Sequence, residues 1–131
     1  LPLAPNLRLV KGAYLEPPDV AFPKKSDVDA AYVRMLETML RAGGYTAIAT
    51  HDDRIIRHLI DYTKLQGIGT DRFEFQMLYG VRPALQRELV GRGYRVMIAA
   101  PFGPEWYAYL MRRLAERPAN VFFLIKNLIK G

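Results

Sequence analysis

The stretch "YAYLMRRLAERPAN", residues 107 to 120, sets a tyrosine, two adjacent arginines and a glutamate at helical spacing. Arg112, Arg113 and Glu116 follow Tyr109 by three, four and seven residues. Positions so spaced share neighbouring turns of one helix face. The two arginines diverge by about 100° around the axis, yet side chains this long converge on one anion. Planar guanidinium groups suit a carboxylate, which they grip through paired N–H···O bonds. Glu116 can hold an arginine or face an ammonium, and Tyr109 offers an amphipathic wall. A solvated face with i,i+4 ion pairs has the same spacing, so spacing alone leaves both readings open.

Other polar residues collect at a repeated structural position. Arg8 alternates with Leu7 and Leu9 in "LRLVK", and a charge inside a strand must be paired or face a polar group. Lys11 and Gly12 end that segment. Lys11 can act as a point charge toward phosphate or sit solvated, and Gly12 permits close backbone approach. His51 follows a second strand-like segment and is the better placed of the two histidines, since His58 falls among charged helix neighbours. Glu74 and Gln76 share one face of "FEFQML", with Phe73, Phe75 and Met77 opposite. Such a polar pair suits a barrel interior or a half-covered edge.

Composition removes several classes of chemistry. The chain has no cysteine, which excludes disulfides, thiolate catalysis and sulfur-ligated zinc. Its only serine, Ser26, precedes a helix and has no histidine partner, so a hydrolase triad is not expected. His51, Asp52 and Asp53 are adjacent in sequence and make a poor metal site; no metal is expected. Neither a Rossmann fingerprint nor a P-loop occurs. With 19 Lys plus Arg against 13 Asp plus Glu, the net charge of +6 favours anionic partners. The charge is spread along the chain, which argues against nucleic acid.

The elements that must position these residues alternate. Strands are expected at 7–11, 45–49, 73–78 and 94–99. Helices are expected from Ser26 or Asp27 to about Arg41, from Arg54 to Leu65, from Pro83 to Val90, and through the double arginine up to Pro118. Strand followed by helix, repeated, means parallel strands with right-handed crossovers, either as a small open sheet or as half of an eightfold barrel. Both layouts place sites beyond the strands' C-terminal ends. Lys11 and Tyr14, Thr50 to Asp53, Gln76 to Tyr79, and Pro101 to Glu105 all fall there. The last segment, "NVFFLIKNLIK", reads as a packed segment rather than a lipid-facing one.

Four blocks, "RLVKGAY" at 8–14, "ATHD" at 49–52, "FEFQMLYG" at 73–80 and "YLMRRLAE" at 109–116, together resemble the proline dehydrogenase family, in family order and over nearly the whole chain. The resemblance implies a distorted (β/α)8 TIM barrel holding FAD non-covalently, with this chain as strands five to eight and their helices. On that basis residues 1–131 are the C-terminal half of the barrel domain, and the first half is missing. It implies that Arg8 lies near the reactive flavin edge, that Val10, Lys11, Gly12 and Ala13 line the flavin or its phosphates, and that Ala49 and His51 contact the cofactor. Leu78 belongs to the substrate pocket, Tyr109 packs on the substrate ring, Arg112 and Arg113 grip the L-proline carboxylate, and Glu116 joins the same cluster. The implied reaction is oxidation of L-proline to Δ1-pyrroline-5-carboxylate, with electrons passed to a quinone. The implied setting is bacterial and cytoplasmic, with peripheral membrane association left open.

Two departures matter. The family often has a tyrosine where Ala99 stands in "MIAAPFG", which brings in hydroxyproline or another cyclic amino acid as an alternative substrate. The early-strand lysine, aspartate and glutamine of the family have no counterpart here, and four strands do not close a barrel. The isolated chain is therefore expected to have little or no activity. A non-catalytic anion-binding module remains the alternative from outside the enzyme class.

Overall fold

In β3 (Phe73–Leu78) buried and half-buried positions alternate. Phe73, Phe75 and Met77 are buried, whereas Glu74, Gln76 and Leu78 on the other face are half-buried. This period of two sorts a strand's side chains between two environments. A computed structural model describes residues 5–12 and 16–109. They fall in two compact units, one comprising Leu1–Lys11 with Pro17–Ala99 and the other Gly12–Glu16 with Ala100–Gly131.

The first unit has the order β1 (Asn6–Leu9), α1 (Lys25–Arg41), β2 (Tyr45–Ala49), α2 (Asp53–Leu65), β3, α3 (Pro83–Gly91) and β4 (Val96–Ala99). All neighbouring strands pair in parallel, and the spatial order β1-β2-β3-β4 repeats the chain order. No reversal occurs of the kind that splits helices between two faces of a doubly wound sheet. One-directional crossovers of one hand place the helices on one face. The core agrees: Tyr32, Leu36 and Leu40 of α1, Ile55, Ile56, Leu59 and Ile60 of α2, and Leu85 and Leu89 of α3 pack with Ile48, Phe73, Phe75 and Met77. Tyr94 joins them, edge-on to Phe75 with ring centroids 5.9 Å apart. Among the described residues the outer edges of β1 and β4 carry no further strand.

The expected ranges 45–49 and 73–78 coincide with β2 and β3. The outer strands are shorter than expected: β1 stops at Leu9 and β4 begins at Val96. Val10 and Lys11 lie past the last pairing, and Tyr94 is drawn into the core instead of the ladder. Neither Ser26 nor Asp27 caps α1. Lys24 is its N-cap, without a side-chain cap bond, and the Lys24 carbonyl accepts from the amides of Asp27 and Val28. Asp27 instead sits in the first turn, where a carboxylate meets the positive end of the helix dipole. The N-cap of α2 is Asp52, whose Oδ1 accepts from the Arg54 amide at 3.1 Å.

Gly44 is required for space. A Cβ there would approach the Pro5 carbonyl oxygen to 2.4 Å, and that carbonyl accepts from the Tyr45 amide as the α1–β2 turn enters the sheet.

In the second unit, the last described residues, 106–109, are helical. The Trp106 amide donates to the Gly103 carbonyl at 3.2 Å and the Tyr109 amide to the Glu105 carbonyl at 3.0 Å. Among the described residues no helix is long and apolar enough to cross a membrane.

Candidate active site

The register of the sheet puts Arg8, Ala47 and Glu74 in one row, and Ala49, Gln76 and Met97 in the next. All six side chains are on the face away from the helices, because their neighbours in sequence are the core residues Ile48, Phe75 and Met77. The alanines of β2 are small enough for a long side chain to pass over them. Arg8 reaches from β1 across β2 to β3, where Nε donates to Gln76 Oε1 at 2.6 Å. Gln76 Nε2 in turn donates to Glu74 Oε1 at 2.6 Å, and the Tyr45 hydroxyl donates to Glu74 Oε2 at 3.1 Å. The result is a polar chain, Arg8–Gln76–Glu74–Tyr45, across three strands. Its middle members would be costly on a purely apolar face, since each polar group needs a partner once shielded from water.

Lys11 points the other way. Its Nζ donates to Asp29 Oδ1 at 2.5 Å, lies 3.9 Å from Asp52 Oδ2, and sits 5.5 Å from the centroid of the Tyr32 ring. The side chain is only 5% exposed, which removes the solvated reading. Removing an ammonium from water costs several kcal/mol, which opposite charges and an aromatic face offset. The ammonium is therefore committed to α1 and to the cap of α2, and what Lys11 can present at the strand end is its backbone. Burial pushes the Asp29 carboxyl up, but bonds and charge from Lys11 and Lys25 outweigh it and hold the group below the ordinary value. Asp52 is likewise pushed up by burial and brought below the ordinary value by Arg54 and Lys11. Tyr32 ties the same corner together, its hydroxyl donating to the Ala49 carbonyl at 2.9 Å.

His51 joins two strand ends. Its Nε2 accepts from the Leu78 amide at 2.9 Å, and its carbonyl accepts from Arg82 Nη1 at 3.1 Å. Arg82 also pairs with Asp53. The Leu78 carbonyl accepts from Gln86 Nε2 at 3.2 Å, so the backbone of Leu78 is held on both sides.

Thus Arg8, Ala49 and Leu78 lie on the open face, and His51 and Lys11 lie at the strand ends beside them. Val10, 47% exposed, follows the last pairing of β1. Gly12 and Tyr109 belong to the second unit. Gly12 has φ +75°, a backbone conformation that favours glycine, and an added Cβ would meet none of the described residues. Ala13, Arg112, Arg113 and Glu116 lie outside the described residues. Sequence reasoning missed Asp29, Tyr32 and Arg82. Nothing in the spacing marks the first two. Arg82 had a signal: an arginine immediately before Pro83 stands where helices prefer Ser, Thr, Asp or Asn.

The open face suits a flavin in two respects. Ala47 and Ala49 leave a floor without bulky side chains, and the only hydrogen bond of Arg8 among the described residues runs through Nε. The terminal nitrogens of that guanidinium can meet an electron-rich ring. These residues fit the cofactor that the resemblance implies.

Comparison with known proteins agrees with the resemblance. The family model for proline dehydrogenase matches residues 4–126. Proline dehydrogenase of Deinococcus radiodurans is 53% identical over 129 residues, covering 98% of this chain and 42% of the relative. Proline dehydrogenase 2 of Bacillus subtilis strain 168 is 53% identical over 128 residues, with the same 98% and 42% coverage. The chain thus spans about two fifths of the length of the curated relatives it matches. A crystal structure of proline utilization A (PutA) from Bdellovibrio bacteriovorus, inactivated by N-propargylglycine, superposes with a TM-score of 0.73 at 31% identity, covering 82% of this chain and 13% of the other. Over nearly its whole length, this chain belongs to the proline dehydrogenase family.

Proposed function

We propose that the chain forms part of an FAD-dependent enzyme that oxidises L-proline to Δ1-pyrroline-5-carboxylate and passes the electrons to a quinone. The observation that carries this reading is the open sheet face, where Arg8 is fixed by Gln76 over the Ala47 and Ala49 floor in a member of this family. The four strands are then an arc of an eightfold barrel, strands five to eight. Sequential order, helices on one face and, among the described residues, two unpaired outer edges support that placement. The rest of the barrel has to come from chain outside these residues, and residues 1–131 alone turn over little or no L-proline.

FAD, when bound, supplies the two-electron acceptor. Arg8 orients its guanidinium toward the ring, and the backbone of Val10 to Ala13 borders the flavin or its phosphates. Ala49 and His51 contact the cofactor from the end of β2. Arg112 and Arg113 hold the proline carboxylate, Glu116 steadies them, and Tyr109 and Leu78 confine the ring. Fixing the carboxylate fixes the ring carbon beside nitrogen, which converts binding into orientation. The substrate reacts as the free amine: that carbon loses a hydride equivalent, nitrogen loses a proton, and a C=N bond results.

The test is anaerobic titration of the holoenzyme with L-proline while following the flavin spectrum. Bleaching of the oxidised flavin is expected, and Arg112→Ala should raise the half-saturating proline concentration about a hundredfold, the loss of a charge-assisted pair of about 3 kcal/mol. A purified full-length protein that binds no flavin, or a flavin untouched by L-proline, rules the reading out.

Ala99 favours a second reading of the substrate. It is paired in register with Leu78, on the same open face. A small side chain beside a pocket residue leaves room for a ring substituent, as in hydroxyproline. Turnover of hydroxyproline at least equal to that of L-proline is its expected outcome; a clear preference for L-proline rejects it.

A further inference from the structure

Arg82 breaks two local rules at once. It is the only non-glycine residue with positive φ among those described, at φ 56° and ψ 53°. It also stands at the N-cap of α3 without making a side-chain cap bond. Pro83 accounts for part of this, because a residue before proline avoids the right-handed helical region. It does not account for a long cationic side chain in the left-handed region, where glycine or asparagine is the unstrained choice. Strain of this kind persists where surrounding contacts over-determine it.

Those contacts all lead to the neighbouring strand end. The guanidinium donates through Nη1 to the His51 carbonyl at 3.1 Å and pairs through Nη2 with Asp53. Asp53 Oδ1 is buried without a hydrogen-bond partner, which makes the Arg82 contact on the other oxygen weigh more. Between these two residues the His51 ring receives the Leu78 amide on Nε2. A nitrogen that accepts from a backbone N–H carries no proton, so the ring is neutral with its proton on Nδ1.

We infer that Arg82 is a positioning residue: by clamping the β2–α2 loop through the His51 carbonyl and Asp53, it aligns the His51 ring with the Leu78 amide and so fixes the tautomer presented at the strand ends. The inference rests on the proposed function for its consequence, since there His51 is a cofactor contact at the end of β2. Its structural content stands apart from that reading. The same clamp sets Leu78, so one guanidinium registers a cofactor contact and a pocket residue against each other.

The test is Arg82→Gly in the holoenzyme, with Arg82→Lys as companion. Glycine accepts φ 56° without strain, so the backbone is preserved and only the guanidinium is lost. Lysine keeps the charge but cannot bridge two acceptors as a planar fork does. The first readout is the nitrogen-15 spectrum of histidine-labelled protein, with His51 assigned by its loss in His51→Gln. Wild type should show a pyridine-type Nε2 and a pyrrole-type Nδ1. Arg82→Gly should show exchange-averaged tautomers and bind FAD about tenfold more weakly, the loss of one charge-assisted hydrogen bond. Arg82→Lys should fall between. An unchanged Nε2 and Nδ1 pattern in Arg82→Gly overturns the inference, as does a wild-type ring protonated on Nε2. Should Arg82→Gly fail to fold, a wild-type pattern in Arg82→Lys overturns it equally. Flavin content and reduction by L-proline test the proposed function, and the ring resonances test this inference, so the two fail separately.

Discussion

On the helix-covered face of the sheet, Ile48, Phe73, Phe75 and Met77 are each 2% exposed or less and belong to one hydrophobic cluster. The opposite face carries Arg8, Tyr45, Glu74 and Gln76, linked by hydrogen bonds above two alanines. Both faces come from the same strands, residue by residue in alternation. The difference separates two tasks. One face contributes stability through buried area, at about 25 cal/mol per Å². The other holds directional polar groups, which add little net stability because each bond replaces one to water. What they add is position.

The sharpest way to break that comparison is Phe75→Ala. Phe75 is fully buried between the Phe73 and Tyr94 rings, so its loss should cost about 3–5 kcal/mol. Chemical denaturation of the holoenzyme reads this directly. Flavin reduction per folded molecule should stay near wild type, and a specific loss there would mean that the two faces are not separable.

Ala47→Leu comes next. Ala47 is 3% exposed and lies under the path of Arg8 to Gln76. Overfilling that floor should cost about 1–3 kcal/mol and should also disturb the flavin spectrum, because Arg8 loses its anchor. Stability that falls with an unaltered spectrum would place the cofactor elsewhere.

Gln76→Ala removes the anchor of Arg8 together with the bond to Glu74. It should change stability by less than about 1 kcal/mol while weakening FAD binding severalfold, measured by flavin release on dilution. The opposite pattern would assign the polar chain a structural task.

The smallest effect concerns acid. The Asp29 and Asp52 carboxyls are held below their ordinary value in the folded protein. Groups with a depressed folded pKa contribute stability above the unfolded value, about 3.9, and lose it as pH falls through the folded value. Wild type should therefore lose stability below about pH 4. Asp29→Asn should be less stable than wild type at neutral pH and converge on it in acid. Parallel curves from pH 7 to pH 2 would show that the Lys11–Asp29 pair does not contribute.

Several features are legible in the sequence. The alternation in "FEFQML" gave β3 to the residue, and the polar pair Glu74 and Gln76 was readable as one face. Arg8 between two leucines demanded a partner, although spacing could not name Gln76, 68 residues away. Elements ended early where tertiary contacts competed with local pattern. Tyr94 continues the β4 pattern in sequence yet packs with Phe73 and Phe75 in the core. Lys11 continues β1 yet turns to Asp29.

The sequence by itself determined the parallel α/β alternation and the family. These follow from periodicity and from ordered local blocks, which are properties of neighbouring residues. Tertiary structure alone decided that the strands run in sequential order with helices on one face, that the Lys11 ammonium is committed to Asp29, and that Arg82 bridges His51 and Asp53. Those depend on which distant residues the crossovers bring within 3 to 4 Å. An ionic or hydrogen-bonded pairing has no sequence period, because its partners are set by where the chain returns and not by how far it has run.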